Sequence, residues 1–307
     1  MPFSEKGSLF ARLSLVFVLS PIGRWFLLPI GVYIVGFSFF YLFAMSNKNL
    51  IFAIRMFLYN ILQRINKHNY KKMKKQDWIL IFCVVVVLTP FFIPATGFFD
   101  WFCSTTKDHP YIMAFFKFAI LATLGEMLAL RIRKGVYNEP GFGVVPRMMV
   151  WGFLGMCIAM AMVIFKSGVP AFLESVAGCE KGTMSALLQA EQFTWGKLGV
   201  AFAVSVLMNS IFAPVMMTFH KCTDIHILDN GGTVRGLLRP MKMREIFSSK
   251  VNWDVQWNVV IKKTIPLFWF PAHTITFILP ATFQVLFAAL LGVALGLILA
   301  LAGGAKK

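Results

Sequence analysis

Several continuous apolar stretches of about 20 residues constrain this chain more than any other feature of its sequence. A helix of that length crosses a hydrocarbon core of roughly 30 Å, because each residue adds about 1.5 Å along the axis. The stretches do not alternate apolar and polar residues, which excludes a transmembrane β-barrel. We therefore predict an all-α, polytopic transmembrane helical bundle of about seven spans, at about 26–45, 78–98, 111–131, 148–166, 198–219, 258–279 and 281–302.

Composition supports a membrane protein. Of the 307 residues, 58% are hydrophobic and only 14% are charged. A soluble domain carries roughly 25% charged residues. The chain is therefore expected to be a multi-pass protein, and we assign it to the cell inner (cytoplasmic) membrane.

The positive charge is distributed unevenly between the two sides of the predicted bundle. The net charge is +17, and 22 of the 30 lysines and arginines fall in 46–77, 131–147, 221–263 and at Lys306 and Lys307. These segments share one side of the predicted topology, as expected for cytoplasmic loops, so the C-terminus is predicted to be cytoplasmic. The basic excess is thus topological, and it also suits anionic lipids of the cytoplasmic leaflet. Nucleic acid is not an expected partner.

The chain divides into two predicted units. Residues 1–110 form an N-terminal membrane unit of two spans and a basic segment, and residues 111–307 form a helical bundle. The segment "NLIFAIRMFLYNILQRINKHNYKKMKKQD" (49–77) is interpreted as an amphipathic helix on the anionic leaflet. The alternative is an extra span over 50–65, which would move the N-terminus to the cytoplasm.

One carboxylate lies inside a predicted span. Glu126 interrupts the apolar stretch "KFAILATLGEMLALRIRKG" (117–135). A charge at membrane depth is unfavourable, so such a residue is a functional candidate by default. Three interpretations stay open: Glu126 lines a pore, gate or substrate path, it is an interhelical lock, or it is a neutral, protonated carboxyl that faces protein. Its candidate partners are Arg131, Arg147, Asn209 and water.

Two further polar residues lie in predicted spans. Asn209 is in mid-span and is typical of hydrogen bonds between helices. His273 lies in "PLFWFPAHTITFILPATFQ" (266–284), where it either titrates near neutral pH or is a packed histidine. Together with Gln284, these residues complete the predicted pore or interhelical polar network.

Prolines and glycines mark bends and close contacts in the spans. We predict kinks at Pro214, Pro271 and Pro280, since proline lacks the N–H that continues a helix. Gly292 and Gly296 form a GxxxG pair, which allows close helix contact within the fold or between subunits.

The five cysteines have no paired spacing. Cys103 and Cys179 both fall in loops on the predicted non-cytoplasmic side, where a disulfide between them is an option.

Motifs of catalysis are missing from the sequence. There is no phosphate-binding loop, nucleophile elbow, zincin pair or dinucleotide fingerprint. The stretch "HKCTDIH" (220–226) places His220, Cys222, Asp224 and His226 at alternating positions, which superficially resembles a metal cluster. It matches no established zinc spacing, and a span end that leads into a polar loop explains it. We therefore expect no enzyme, no cofactor and no metal.

Four motifs occur in the order seen in a known family. "LGEMLALRI", "RMMVWGFLG", "MNSIFAP" and "PLFWFPAHTITFILPATFQVLF" resemble the Mpv/PMP-type family of small peroxisomal and mitochondrial inner-membrane proteins over about 111–305. The family's Gly-Asp element is matched by Gly125 and Glu126. Its later Asp is replaced by Met208, and the Arg four residues after its C-terminal Pro is replaced by Gln284.

The resemblance implies a distant, bacterial member of this family. It carries the expectation of a compact bundle of about four spanning helices and of a passive or gated small-solute channel. The solute itself is not implied. The replaced Asp and Arg weaken the transfer of a gating network to this chain. The alternative function is a non-transporting scaffold or assembly subunit, either a homo-oligomer or part of a larger membrane complex.

Overall fold

The computed structural model describes the backbone of residues 74–304 and the side chains of residues 74–297. These residues belong to a unit that spans Asn69–Lys307. The predicted span at 26–45, nearly all of the amphipathic segment and the alternative span at 50–65 lie outside the described residues. The regular elements of the described part are all helical, which confirms the all-α class.

Five long helices form the described bundle. They are α1 Lys75–Phe92, α2 Pro110–Lys134, α3 Val144–Ala177, α4 Trp195–Asp229 and α5 Ala281–Gly304. The first four are long and apolar enough to cross a membrane, so the chain is an integral membrane protein. The apolar part of α5 with described side chains, Ala281–Leu297, is shorter. The prediction of seven spans is not confirmed.

Shorter helical pieces connect the long helices. The chain adds Pro94–Thr96, Phe98–Asp108, Thr183–Gln189, Val234–Leu237, Met243–Glu245, Ile246–Lys250 and Trp253–Val255. One boundary differs from the sequence prediction: α4 continues through Asp229, whereas a loop was expected from residue 221. Polar residues at the end of a span do not interrupt backbone hydrogen bonding, so the helix extends past the apolar stretch.

The predicted span at 258–279 has an irregular backbone. Gln256–Trp269 is a wide π-helix that contains Pro266, and Phe270–Ile278 is a short α-helix with Pro271 in its first turn. Leu279 is extended, and Pro280 follows it before α5 begins. The helix is therefore interrupted at Leu279 and Pro280, and α5 starts as a separate helix. Pro214, by contrast, lies within the continuous helix α4.

Local signals fix where several helices begin and end. Thr194 accepts a hydrogen bond from the Lys197 N–H at 3.0 Å and caps the start of α4. Gly135 has φ 80° and ends α2 in the left-handed conformation that glycine tolerates best. The Glu174 carboxylate accepts from the N–H groups of Gly182 and Met184, at 3.0 and 2.9 Å, at the start of Thr183–Gln189.

Glycines bring α2 close to α5. A Cβ added at Gly125 would lie 2.9 Å from the Val293 Cα of α5. A Cβ at Gly296 would lie 3.3 Å from the Gly125 carbonyl oxygen, whereas one at Gly292 would meet nothing within 4 Å. Gly296 thus contacts α2 within the fold, and small residues allow this close approach.

The core lies between α2, α3, α4 and Phe270–Ile278. It is apolar and is built from large buried side chains of each helix, including Phe118, Ile158, Val204, Met208 and Phe277. α4 packs against both α3 and Phe270–Ile278. The end of α2, the start of α3 and the end of α4 are thereby brought to the same end of the bundle.

Candidate functional site

A group of polar side chains joins three long helices at this end of the bundle. α2 contributes Glu126, α3 contributes Arg147 and Trp151, and α4 contributes His220 and Asp224. The pair on α3 and the pair on α4 are each four residues apart, so each pair shares one helix face. We call these five residues the charge cluster.

Arg147 is the centre of the charge cluster. Its Nη1 donates to Glu126 Oε2 and to Asp224 Oδ1, so one guanidinium links α3 to both α2 and α4. Trp151 Nε1 donates to Glu126 Oε1 at 2.8 Å, and His220 Nε2 lies 3.1 Å from the same oxygen. His220 Nε2 is also 3.7 Å from Asp224 Oδ1. Both carboxylates therefore have partners on a different helix.

The loop before α3 holds Arg147 in place. Arg147 Nε donates to the Phe142 carbonyl oxygen at 2.8 Å, and its guanidinium lies 4.5 Å from the centroid of the Phe142 ring. Phe142 stands between Gly141 and Gly143, which have φ of 83° and 72°. A Cβ at Gly143 would lie 2.8 Å from the Gly232 Cα, so the two loops approach each other closely.

The charge cluster carries more acid than fixed base. It has two carboxylates and one guanidinium, and the His220 imidazole balances the difference only when it is protonated. The side chains of Glu126, Asp224 and His220 are 21%, 19% and 18% exposed, whereas Arg147 is 7% exposed. All four side chains are therefore mostly buried, and Arg147 is the most buried of them.

The charge cluster also contains the ligand types of a metal site. Ligand atoms of Glu126, His220 and Asp224 all lie within 4.8 Å of one another. The Arg147 guanidinium already bonds both carboxylates. A cation between them would have to displace this guanidinium, which favours an ion-pair cluster over a metal centre.

Arg131 belongs to a separate ion pair. Its Nε donates to Asp77 Oδ1 at 2.7 Å and its Nη2 lies 2.5 Å from Asp77 Oδ2, so the contact is bidentate. Tyr137 also donates to Asp77 Oδ1, at 2.7 Å. Burial, with the Asp77 carboxylate beside it, raises the pKa of Tyr137 to about 12. Of the predicted partners of Glu126, Arg147 makes the contact and Arg131 ties α2 to α1.

Asn209 and His273 do not share a site with Glu126. Asn209 Nδ2 donates to the Ser205 carbonyl oxygen at 2.8 Å, and Ser205 Oγ donates to the Phe270 carbonyl oxygen at 2.7 Å. Asn209 is 11 residues before His220 on α4, or roughly 16 Å along the helix axis. His273 is buried and its ring stacks on Trp269 with centroids 5.2 Å apart. Ser205 therefore links α4 to Phe270–Ile278, whereas the hydrogen bond of Asn209 stays within α4 and does not join two helices as the sequence predicts. The ring contacts of His273 are with its neighbours Trp269 and Phe277.

Gln284 is part of a third polar contact. Lys166 Nζ donates to Gln284 Oε1 at 2.9 Å, and Gln284 Nε2 donates to the Leu279 carbonyl oxygen at 2.8 Å. The contact links α3 to the start of α5. Gln284 replaces the arginine of the family pattern, yet a positively charged side chain still lies beside it. That side chain is Lys166 of α3.

Cys103 and Cys179 are both free thiols. Cys103 lies in Phe98–Asp108, and Cys179 follows the Gly178 cap of α3. The disulfide considered from the sequence is not formed.

Three members of the charge cluster were missed as partners of Glu126. In the sequence, His220 and Asp224 stand beside Cys222 in a stretch that superficially resembles a metal motif at the end of a span. Their spacing of four residues is the signal that places both on one helix face, and it becomes informative once α4 is known to continue. Trp151 has the same spacing from Arg147, but an indole in an apolar span resembles an ordinary packing residue.

No protein-family model, curated protein or solved structure matches this chain. The resemblance to the Mpv/PMP-type family stays a prediction.

Proposed function

We propose that this integral membrane protein is a gated small-solute channel and that the charge cluster is its latch. The observation that carries the proposal is the contact of one guanidinium, Arg147, with carboxylates of two neighbouring helices, Glu126 and Asp224. Separation of these groups would free the ends of α2, α3 and α4 together. The remaining parts of the proposal are the cytoplasmic membrane, a cytoplasmic C-terminus and distant kinship with the Mpv/PMP-type family.

Energetics favour a switching role over simple bracing. Burying charges costs much of what their attraction returns, so apolar residues of similar size often stabilise a fold as well or better. Charged residues at membrane depth commonly mark ion, proton or substrate paths. These arguments support a latch that forms and breaks.

Replacing Glu126 by Gln is expected to raise solute flux through the reconstituted protein. The change keeps the size of the side chain but removes the charge that Arg147 contacts. A hydrogen bond to a charged group contributes about 1.5–3 kcal/mol, and about 1.4 kcal/mol corresponds to tenfold in an equilibrium. We expect a roughly tenfold increase in flux. The measurement is stopped-flow light scattering of proteoliposomes, with urea, glycerol and potassium chloride as separate probes.

Glu139→Gln is the matched control for this experiment. Glu139 pairs with Lys134 at 2.8 Å near the same end of the bundle, outside the charge cluster. Its replacement should leave flux at the wild-type value. If neither the wild-type protein nor Glu126→Gln conducts any probe above empty liposomes while both remain folded, the channel proposal is rejected.

A non-transporting assembly subunit is the second candidate. It is favoured by the way in which the other polar residues are used: Asn209 and Gln284 both make hydrogen bonds within the described bundle. The core between the long helices is apolar. On this interpretation the charge cluster is a permanent lock. Co-purification of a stoichiometric partner from native membranes, without flux after reconstitution, would support this candidate.

A further inference from the structure

An exposed basic and aromatic segment follows the charge cluster in the chain. Residues 242–263 contain the pieces Met243–Glu245, Ile246–Lys250, Trp253–Val255 and the first half of Gln256–Trp269. We call this the 242–263 segment. It packs on the end of α4 through the buried residues Ile246 and Val251, which contact Cys222 and Ile225. The segment is therefore anchored at the same end of the bundle as the charge cluster.

Large apolar side chains of the 242–263 segment point away from the protein. Trp257 is 57% exposed, Val255 is 49% exposed and Trp253 is 41% exposed. Trp253 is held in place, since its Nε1 donates to the Phe247 carbonyl oxygen at 2.7 Å. Tryptophan is enriched at the membrane–water interface because its ring is amphipathic. Its exposure beside membrane-spanning helices is typical of interfacial contact.

The same segment is rich in positive charge. Residues 242–263 hold five lysines and arginines against two acids. Lys250 is neutralised by Asp229 and Glu245, each at 2.8 Å, and these hydrogen bonds raise its pKa. Lys262 and Lys263 are exposed, and no carboxylate of residues 74–297 pairs with either.

We propose that the 242–263 segment binds the headgroups of anionic phospholipids. Lys262 and Lys263 would pair with the phosphates, while Trp253 and Trp257 would lie at the level of the headgroups. The segment is complementary to an anionic lipid surface in both charge and polarity. Its ammonium groups without a carboxylate partner suit the phosphates, and its exposed indoles suit the headgroup region. Basic residues next to a membrane are attracted to anionic lipids over roughly a Debye length. This inference does not depend on the channel proposal.

The test is a titration of the full-length protein in a neutral detergent with phosphatidylglycerol or phosphatidylcholine. A lipid that binds the folded protein raises its unfolding temperature, so the apparent affinity follows from the shift. We expect phosphatidylglycerol to stabilise the wild-type protein more than phosphatidylcholine. The double variant Lys262→Gln/Lys263→Gln should bind phosphatidylglycerol about tenfold more weakly, and salt should weaken wild-type binding.

Lys107→Gln/Lys181→Gln is the matched control, because it removes two exposed lysines at the opposite end of the bundle. It should retain wild-type affinity. Equal binding of the two lipids to the wild-type protein, or an unchanged affinity in Lys262→Gln/Lys263→Gln, would overturn the proposal. Native mass spectrometry of the same samples counts bound lipids without relying on unfolding. Fewer bound phosphatidylglycerol molecules are expected for Lys262→Gln/Lys263→Gln and not for the control.

Discussion

The variant Arg147→Gln should be about 3 kcal/mol less stable than the wild-type protein. Removing the guanidinium leaves Glu126 and Asp224 near each other without a fixed positive charge. Breaking a buried ion pair on one side typically costs 3–5 kcal/mol, and we expect the lower end because both carboxylates are about one-fifth exposed. The unfolding temperature of the purified protein in detergent, followed by intrinsic tryptophan fluorescence, measures the effect.

Two further variants define what the loss of stability means. Arg133→Gln removes an exposed arginine of α2 and should leave the unfolding temperature nearly unchanged. A triple variant with Glu126→Leu, Arg147→Met and Asp224→Leu removes every full charge of the ion pairs and should recover most of the stability. If Arg147→Gln is as stable as Arg133→Gln, the interhelical bonds described for Arg147 do not form. If the triple variant is stable but its solute flux no longer resembles that of the wild-type protein, the charges act in gating.

The sequence predicts the long helices α2, α3 and α4 and the interruptions by proline, but not where every helix ends. Apolar stretches at 111–131, 148–166 and 198–219 correspond to α2, α3 and α4, because burial in lipid requires continuous hydrophobicity. Hydropathy also predicts a span at 258–279, and the prolines predict that it is not a straight helix, because they remove backbone donors. Pro271 lies at the start of Phe270–Ile278 and Pro280 lies at the break before α5. The extent of α4 past residue 219 was missed, since polarity marks the edge of the membrane and not the end of a helix.

The sequence limits the partners of Glu126 to a few candidates but does not identify the one that it contacts. Arg131 and Arg147 are both near the expected end of the bundle, and spacing alone does not separate them. The choice depends on which helix ends meet. Asp77 of α1 occupies Arg131, and the loop that contains Phe142 holds Arg147 towards α2 and α4. Such contacts are tertiary, so residues far apart in the chain decide them.

The helix contact between α2 and α3 gives the second prediction with a large effect. Gly155 of α3 is buried, and a Cβ built there would lie 2.6 Å from the Phe118 Cβ and 2.8 Å from the Ala114 carbonyl oxygen. Neither neighbour is the flexible end of a side chain, so the two helices must move apart to accept a methyl group. We expect Gly155→Ala to lose about 1–3 kcal/mol of stability, the usual cost of overpacking a core.

Gly168→Ala separates this steric effect from the helix preference of alanine. Gly168 lies on the same helix, and a Cβ there would meet nothing within 4 Å. Alanine favours an α-helix over glycine by about 1 kcal/mol, so Gly168→Ala should be neutral or slightly stabilising. A lower unfolding temperature for Gly155→Ala and an equal or higher one for Gly168→Ala, relative to the wild-type protein, would show that α2 and α3 touch at Gly155. A stabilising Gly155→Ala would mean that α2 and α3 are further apart at Gly155 than described.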